Sequence, residues 1–232
     1  MRKIIAAFVS IMLFVSGAAL GEGMLTVTHE NFTTVGDEYS VTGYLYARIE
    51  NTGDAPVNVS EGTLLIYDAA GNVIDMNEYS SPVPYYAVLQ PGQYVYLSDM
   101  VFFDEGVAEA DVADFEFSIG TDDMYGVEYQ FIPCTAALNL DEPNSYSSYV
   151  DVTFTNDGAE ILREFELVVA IYDAEGNLIY VNTDYGSYVG IHPGSTVTWG
   201  VYVSDDLVGE WKENNIVPAS ADAYVVLYPE DY

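Results

Sequence analysis

Ile66-Tyr67-Asp68-Ala69-Ala70-Gly71-Asn72 returns as Ile171-Tyr172-Asp173-Ala174-Glu175-Gly176-Asn177, 105 residues further on. Asn51-Thr52-Gly53 returns at the same offset as Asn156-Asp157-Gly158, and Pro91-Gly92 returns 102 residues later as Pro193-Gly194. These are turn signals. Asp at the first position and Gly at the fourth suit a type I turn, and the glycine accepts the positive φ of a bulge that rejoins two strands. The Asp68 carboxylate is placed to accept a hydrogen bond from the backbone two residues on. Pro-Gly suits the two centre positions of a type II turn. Asn51 and Asn156 read as strand ends before a glycine corner.

Between these marks the hydrophobic period is two. Leu45, Ala47 and Ile49 face one way; Tyr44, Tyr46, Arg48 and Glu50 face the other. In the second copy Val150, Val152 and Phe154 form the matching apolar face, and Tyr149, Asp151, Thr153 and Thr155 the polar one. Phe165, Leu167, Val169 and Ile171 alternate with Glu164 and Glu166. Such alternation marks strands with one buried side. No long helical period appears. Short helical turns are expected at 107–113 and 205–212. With turns every 8–15 residues, each copy is predicted to hold about six or seven strands. The expected fold class is all-β: two tandem immunoglobulin-like antiparallel β-sandwich domains, at residues 22–120 and 127–232, joined by a linker at 121–126.

The turn residues resemble the FxLYD domain, a small β-sandwich module of exported bacterial and archaeal proteins. The matching residues are Leu64-Leu65-Ile66-Tyr67-Asp68 with Gly71 and Pro91-Gly92, then Val169-Ala170-Ile171-Tyr172-Asp173 with Gly176 and Pro193-Gly194. Asn51, Gly53, Asn156 and Gly158 look like that family's N-x-G corner. The family's leading Phe is here Leu64 and Val169, and its Leu is Ile66 and Ile171. The resemblance covers about 50 residues of each copy. It implies the fold and export, and carries over no catalytic residue.

Residues 1–21 read as a signal peptide. Arg2 and Lys3 precede an apolar run, Ile4 to Val15, and small residues offer cleavage after Ala19 or Gly21. The run is short for a membrane span, and no cysteine stands there for lipid attachment. The expected mature protein is secreted or held non-covalently at the cell surface, with no membrane insertion. It keeps Arg48, Arg163 and Lys212 against 37 carboxylates, a formal charge of −34. Such a field repels nucleic acid and anionic membrane and attracts cations. Cys134 is the only cysteine; it forms no intramolecular disulfide and reads as a small buried hydrophobe.

No P-loop, dinucleotide fingerprint, EF-hand loop or paired-cysteine motif appears. His29 and His192, the only histidines, have no local catalytic partners. A repeat argues against catalysis, because neither copy shares a distinctive polar trio with the other; a hydrolase using paired carboxylates is the least disfavoured enzyme. The expected role is a non-catalytic extracellular module that binds a protein or a glycan, or acts as a spacer. Tyrosine is in excess, at 21 residues, and exposed tyrosines stack on sugars or anchor protein partners. The candidate binding face is Tyr85, Tyr86, Tyr185 and Tyr188, drawn from the groups Tyr79, Tyr85, Tyr86, Tyr94, Tyr96 and Tyr180, Tyr185, Tyr188, Trp199, Tyr202. No cofactor is expected beyond calcium. Asp122 and Asp123, with a loop acid such as Asp54 or Asp205, are its candidate ligands, and a calcium-stabilised adhesion module is the alternative reading.

Overall fold

The computed structural model describes residues 22–36, 41–104, 106–122, 125–140 and 148–228. Residues 1–21, where a signal peptide is expected, lie outside them. The chain divides into two compact units between Glu128 and Tyr129.

The first unit holds β1 (Leu25–Gly36), β2 (Val41–Asn51), β3 (Val57–Tyr67), β4 (Val73–Ser80), β5 (Pro82–Val83), β6 (Val88–Leu89), β7 (Tyr94–Phe102) and β8 (Asp114–Thr121). One sheet runs β1-β2-β7-β5; in the other β3 pairs with β4, β6 and β8. The second unit holds β9 (Gln130–Ile132), β10 (Cys134–Asn139), β11 (Tyr149–Thr155), β12 (Leu162–Asp173), β13 (Leu178–Ile191), β14 (Thr196–Tyr202) and β15 (Pro218–Leu227). Its sheets run β10-β11-β14 and β13-β12-β15-β9. All these ladders are antiparallel, so the fold is all-β. The pairing order β1-β2-β7 in one unit is that of β10-β11-β14 in the other, and β4-β3-β8 matches β13-β12-β15. The expected helical turns form a 3₁₀ turn at Glu109–Asp111 and a helix, α1 (Asp205–Glu213), each between the last strands of its unit.

The alternation places the core. Leu45, Ala47 and Ile49 are fully buried, as are Val150 and Val152, with Phe154 nearly so. Two expectations about outward faces need correction. Tyr46 shares a face with Arg48 as expected, yet it is buried, and so is Tyr96 on β7. On β12 the whole run Leu167–Ile171 is buried, not every second residue. β12 lies inside its sheet, between β13 and β15. A strand shielded on both faces carries a continuous apolar stretch, as Leu-Val-Val-Ala-Ile does here.

The repeated corners form as their chemistry demands. Gly71 and Gly176 have φ of 81° and 87°; Gly92 and Gly194 have 78° and 75°. Gly71 N–H bonds to Asp68 O at 3.0 Å, and Gln93 N–H to Gln90 O at 2.9 Å, with Gly176–Asp173 and Ser195–His192 repeating these bonds. Asp68 Oδ1 accepts the N–H groups of Ala70 (2.8 Å) and Asn72 (2.9 Å), and Oδ2 accepts the Asn72 amide (2.8 Å). Asp173 makes the same three bonds to Glu175 and Asn177. These turns are structural.

The Asn72 amide and the backbone donors hold the Asp68 carboxyl below the ordinary carboxylate range. The charged form is the bound one. Its stabilising contribution is therefore present above the unfolded carboxylate pKa and fades as pH falls through the lowered folded value. An NMR titration should place the Asp68 midpoint below that of an unstructured aspartate; an ordinary midpoint would contradict the capping assignment.

Candidate functional site

The tyrosines that cluster in sequence separate in space. Tyr94 and Tyr96 lie edge-on to each other on β7, 5.5 Å apart. Arg48 lies over the Tyr94 ring, 3.9 Å from its centre, so this pair belongs to a structural ladder on the β2-β7 surface. Tyr79 stands exposed on β4. In the second unit Tyr180 is buried against Trp211 at 5.9 Å. Trp199 packs on Phe165 and donates its indole N–H to Asp184 Oδ2 at 2.8 Å. Tyr202 meets Tyr149 across the β11-β14 pair.

Tyr85 and Tyr86 remain as a site in the first unit, joined by Tyr125. Their ring centres lie 6.3 Å apart (Tyr85–Tyr86) and 6.2 Å apart (Tyr86–Tyr125). Tyr85 is 54% exposed and Tyr125 60%. Tyr86 has φ of 52°, a left-handed conformation that a bulky residue rarely adopts. The surrounding backbone enforces it. Val127 N–H donates to Tyr86 O (2.8 Å), Val59 N–H to Ala87 O (2.9 Å) and Val88 N–H to Val127 O (3.0 Å).

Asp122, from the stretch expected to be the linker and here within the first unit, shapes this same place. Asn58 donates its amide to Asp122 O at 2.8 Å, and Asp122 Oδ1 accepts the Tyr125 N–H at 3.2 Å. Gly126 passes so close to Asn58 that a Cβ would lie 2.6 Å from its Oδ1. Asp122 thus presents Tyr125. Asp123 lies outside the described residues, and the Asp54 carboxylate accepts the Glu22 N–H at 2.7 Å. Among the described residues no three His, Cys, Asp or Glu side chains gather as metal ligands.

Tyr185 stands on the opposite face of β13 from Tyr180. Across β12 it pairs with Glu166, and Glu166 pairs in turn with Val226 on β15. Tyr228, two residues beyond Val226, donates its hydroxyl to Glu166 Oε2 and meets Tyr129 edge-on at 5.4 Å. Burial raises the Glu166 carboxyl, opposed by the Tyr228 hydrogen bond. Burial, then the Glu166 contact, raises the Tyr228 phenol. Tyr185 is 48% exposed and Tyr228 38%. The Tyr188 side chain lies outside what is described.

The sequence reading missed Tyr125, Glu166 and Tyr228. The signal for Tyr125 was its position between the joint's acids and Gly126. The other two become neighbours only through the register of three strands.

Cys134 is half-buried, and its thiol donates to Ala223 O at 3.2 Å. Burial first, and Asp222 second, push it up to about 11, which leaves it a poor nucleophile near neutral pH. No helix among the described residues is long and apolar enough to cross a membrane. No protein-family model, curated protein or solved structure matches the chain.

Proposed function

We propose that the chain is an exported, non-catalytic binding module made of two immunoglobulin-like, FxLYD-like domains, which engages a protein or glycan outside the cell through exposed tyrosines. The domain reading is supported by the shared strand order and by the identical bonds of the Asp68 and Asp173 turns.

The binding reading is carried by Tyr86. A residue held in a sparsely populated conformation costs on the order of 1–3 kcal/mol and persists only where its surroundings over-determine it. Here the enforced residue sits between two rings left open to solvent. Rigid aromatic area of this kind binds at low entropic cost.

A glycan and peptide array is the test. The wild-type chain gives specific spots, and Tyr85→Ala with Tyr86→Ala weakens them about tenfold or more, as expected for aromatic anchors, with the circular dichroism unchanged. A silent array, or spots indifferent to both changes, would overturn the assignment.

A further inference from the structure

Two stretches carry the Asn-x-Ser/Thr signature of an acceptor for N-linked sugar in an exported protein: Asn31-Phe32-Thr33 on β1 and Asn58-Val59-Ser60 on β3. The accepting atom is the asparagine Nδ2. A glycan is compatible with the finished fold only where that nitrogen is not already committed.

The fold treats the two asparagines differently. Asn58 donates its amide to Asp122 O at 2.8 Å. A Cβ on Gly126 would lie 2.7 Å from Asn58 Nδ2. A sugar on Asn58 would break that bond and displace the segment that presents Tyr125. The Asn31 carboxamide, by contrast, makes no hydrogen bond among the described residues. Apart from Asn215, every other described asparagine donates its amide nitrogen to an oxygen of the chain. Asn215 is followed by Ile216 and Val217, so the hydroxyl of the signature is missing there.

The strand geometry also suits Asn31. Phe32 is buried and pairs with Leu45 of the core. Alternation therefore puts Asn31 and Thr33 together on the other face, and both are partly exposed. β1 is the end strand of its sheet. From Asn31 to Gly36 it has no charge and no proline, the usual devices that keep an edge from pairing with another chain. β10, first in the matching order of the second unit, has six residues against twelve for β1, and a short edge needs less cover. A bulky, hydrophilic glycan on Asn31 covers the long one.

We propose that Asn31 is an N-glycosylation site of this chain and that Asn58 is not used. The assignment rests on the export reading and is independent of the Tyr85 and Tyr86 rings. The donor is an oligosaccharide joined through C1 of its first sugar to a lipid-linked phosphate, transferred by an oligosaccharyltransferase of the exporting cell. Asn31 Nδ2 forms the new bond to C1, and the C1–O bond to the phosphate breaks. The phosphate leaves with the bonding pair, and the amide gives up one proton. Nothing is oxidised or reduced.

The test is mass spectrometry on the chain recovered from cultures of the cells that encode it. Trypsin separates the two signatures, because Arg48 and Arg163 are successive cleavage points. The mature peptide ending at Arg48 has Asn31 as its one asparagine, and the peptide 49–163 holds Asn58. The first is expected to carry the added mass of an oligosaccharide and the second none. Asn31→Gln and Thr33→Val each abolish the added mass, and Thr33→Ser retains it. A bare peptide ending at Arg48 from an exported chain would overturn the site and leave export standing. Sugar that persists in Asn31→Gln would belong to a hydroxyl and overturn it equally. Sugar on Asn58 would overturn the distinction between the two asparagines. A chain kept inside the cell with residues 1–21 still attached would sink export and the site together.

Discussion

Asn51→Ala is expected to destabilise the first unit by about 3–5 kcal/mol, since a buried group that loses its hydrogen-bond partner costs about 1–3 kcal/mol and several lose theirs together. Asn51 is fully buried at the end of β2. Its Nδ2 donates to Ala55 O at 2.8 Å and to Leu89 O at 2.9 Å. Its Oδ1 accepts the N–H groups of Gly53 (3.0 Å) and Met24 (3.2 Å). Its own backbone completes the join: Asn51 N–H donates to Gln93 O (2.9 Å) and Asn51 O accepts Gly92 N–H (2.8 Å). One carboxamide therefore ties the corner after β2 to β6, and its backbone ties the same corner to the Pro-Gly turn before β7. Alanine leaves these groups without the partners that the carboxamide supplied. Asn51→Asp is expected to be at least as damaging, because it turns an oxygen toward two carbonyl oxygens. Asn156 repeats the arrangement, with Glu160 O at 2.9 Å, Ile191 O at 2.8 Å and Gly158 N–H at 3.0 Å. Asn156→Ala should thus destabilise the second unit in the same manner. Urea unfolding read at both units checks this. A loss under about 1 kcal/mol for both variants, within the reach of an ordinary single hydrogen bond, would show that the corners are held by something else.

The same residue shows where the sequence was legible and where it was not. Asp68, Gly71, Pro91 and Gly92 could be assigned their conformations directly, because a turn's chemistry is contained within four or five residues. Asn51 read only as the end of a strand. Its decisive partner, Leu89 O, is 38 residues away, and nothing local points to it. The available signal was the repetition of the asparagine itself, at the same offset as the turn aspartate. Core faces were legible because alternation fixes which side chains point inward. Alternation does not say whether the outward side is also shielded, which is why Tyr46 and Val168 were unexpected among the buried residues. The candidate tyrosines were chosen by sequence proximity, and neighbouring residues in a strand point to opposite faces. Tyr180 and Tyr185 accordingly part company, one against Trp211 and the other opposite Glu166. Glu166, Tyr185 and Tyr228 meet through the register of β13, β12 and β15, and register is a property of the folded sheet.

Gly186 offers the second large effect. It lies opposite Phe165 in the β12-β13 ladder. A Cβ at this position would fall 2.5 Å from Phe165 Cε2 and 2.6 Å from Cε1, and closer still to Cζ. The ring has nowhere to withdraw. Phe165 is fully buried, edge-on to Phe154 at 5.3 Å and to Trp199 at 5.5 Å, and Trp199 is itself fixed by its bond to Asp184. Gly186→Ala is expected to cost about 2–3 kcal/mol, the upper part of the usual range for overpacking a closed core. Phe165→Leu relieves the crowding but leaves space beside Phe154 and Trp199, for about 1–2 kcal/mol by the scale of large-to-small core changes. The two substitutions act on one volume, so their effects should not add. In the double variant the alanine methyl occupies part of the space the ring vacated, and the total loss should fall short of the sum by about 1 kcal/mol or more, a coupling typical of residues in contact. Thermal unfolding of the two single variants and the double variant gives this coupling directly. Strict additivity would mean that the Phe165 ring turns aside for the methyl, and that the glycine is present for the twist of β13 instead of the ring above it.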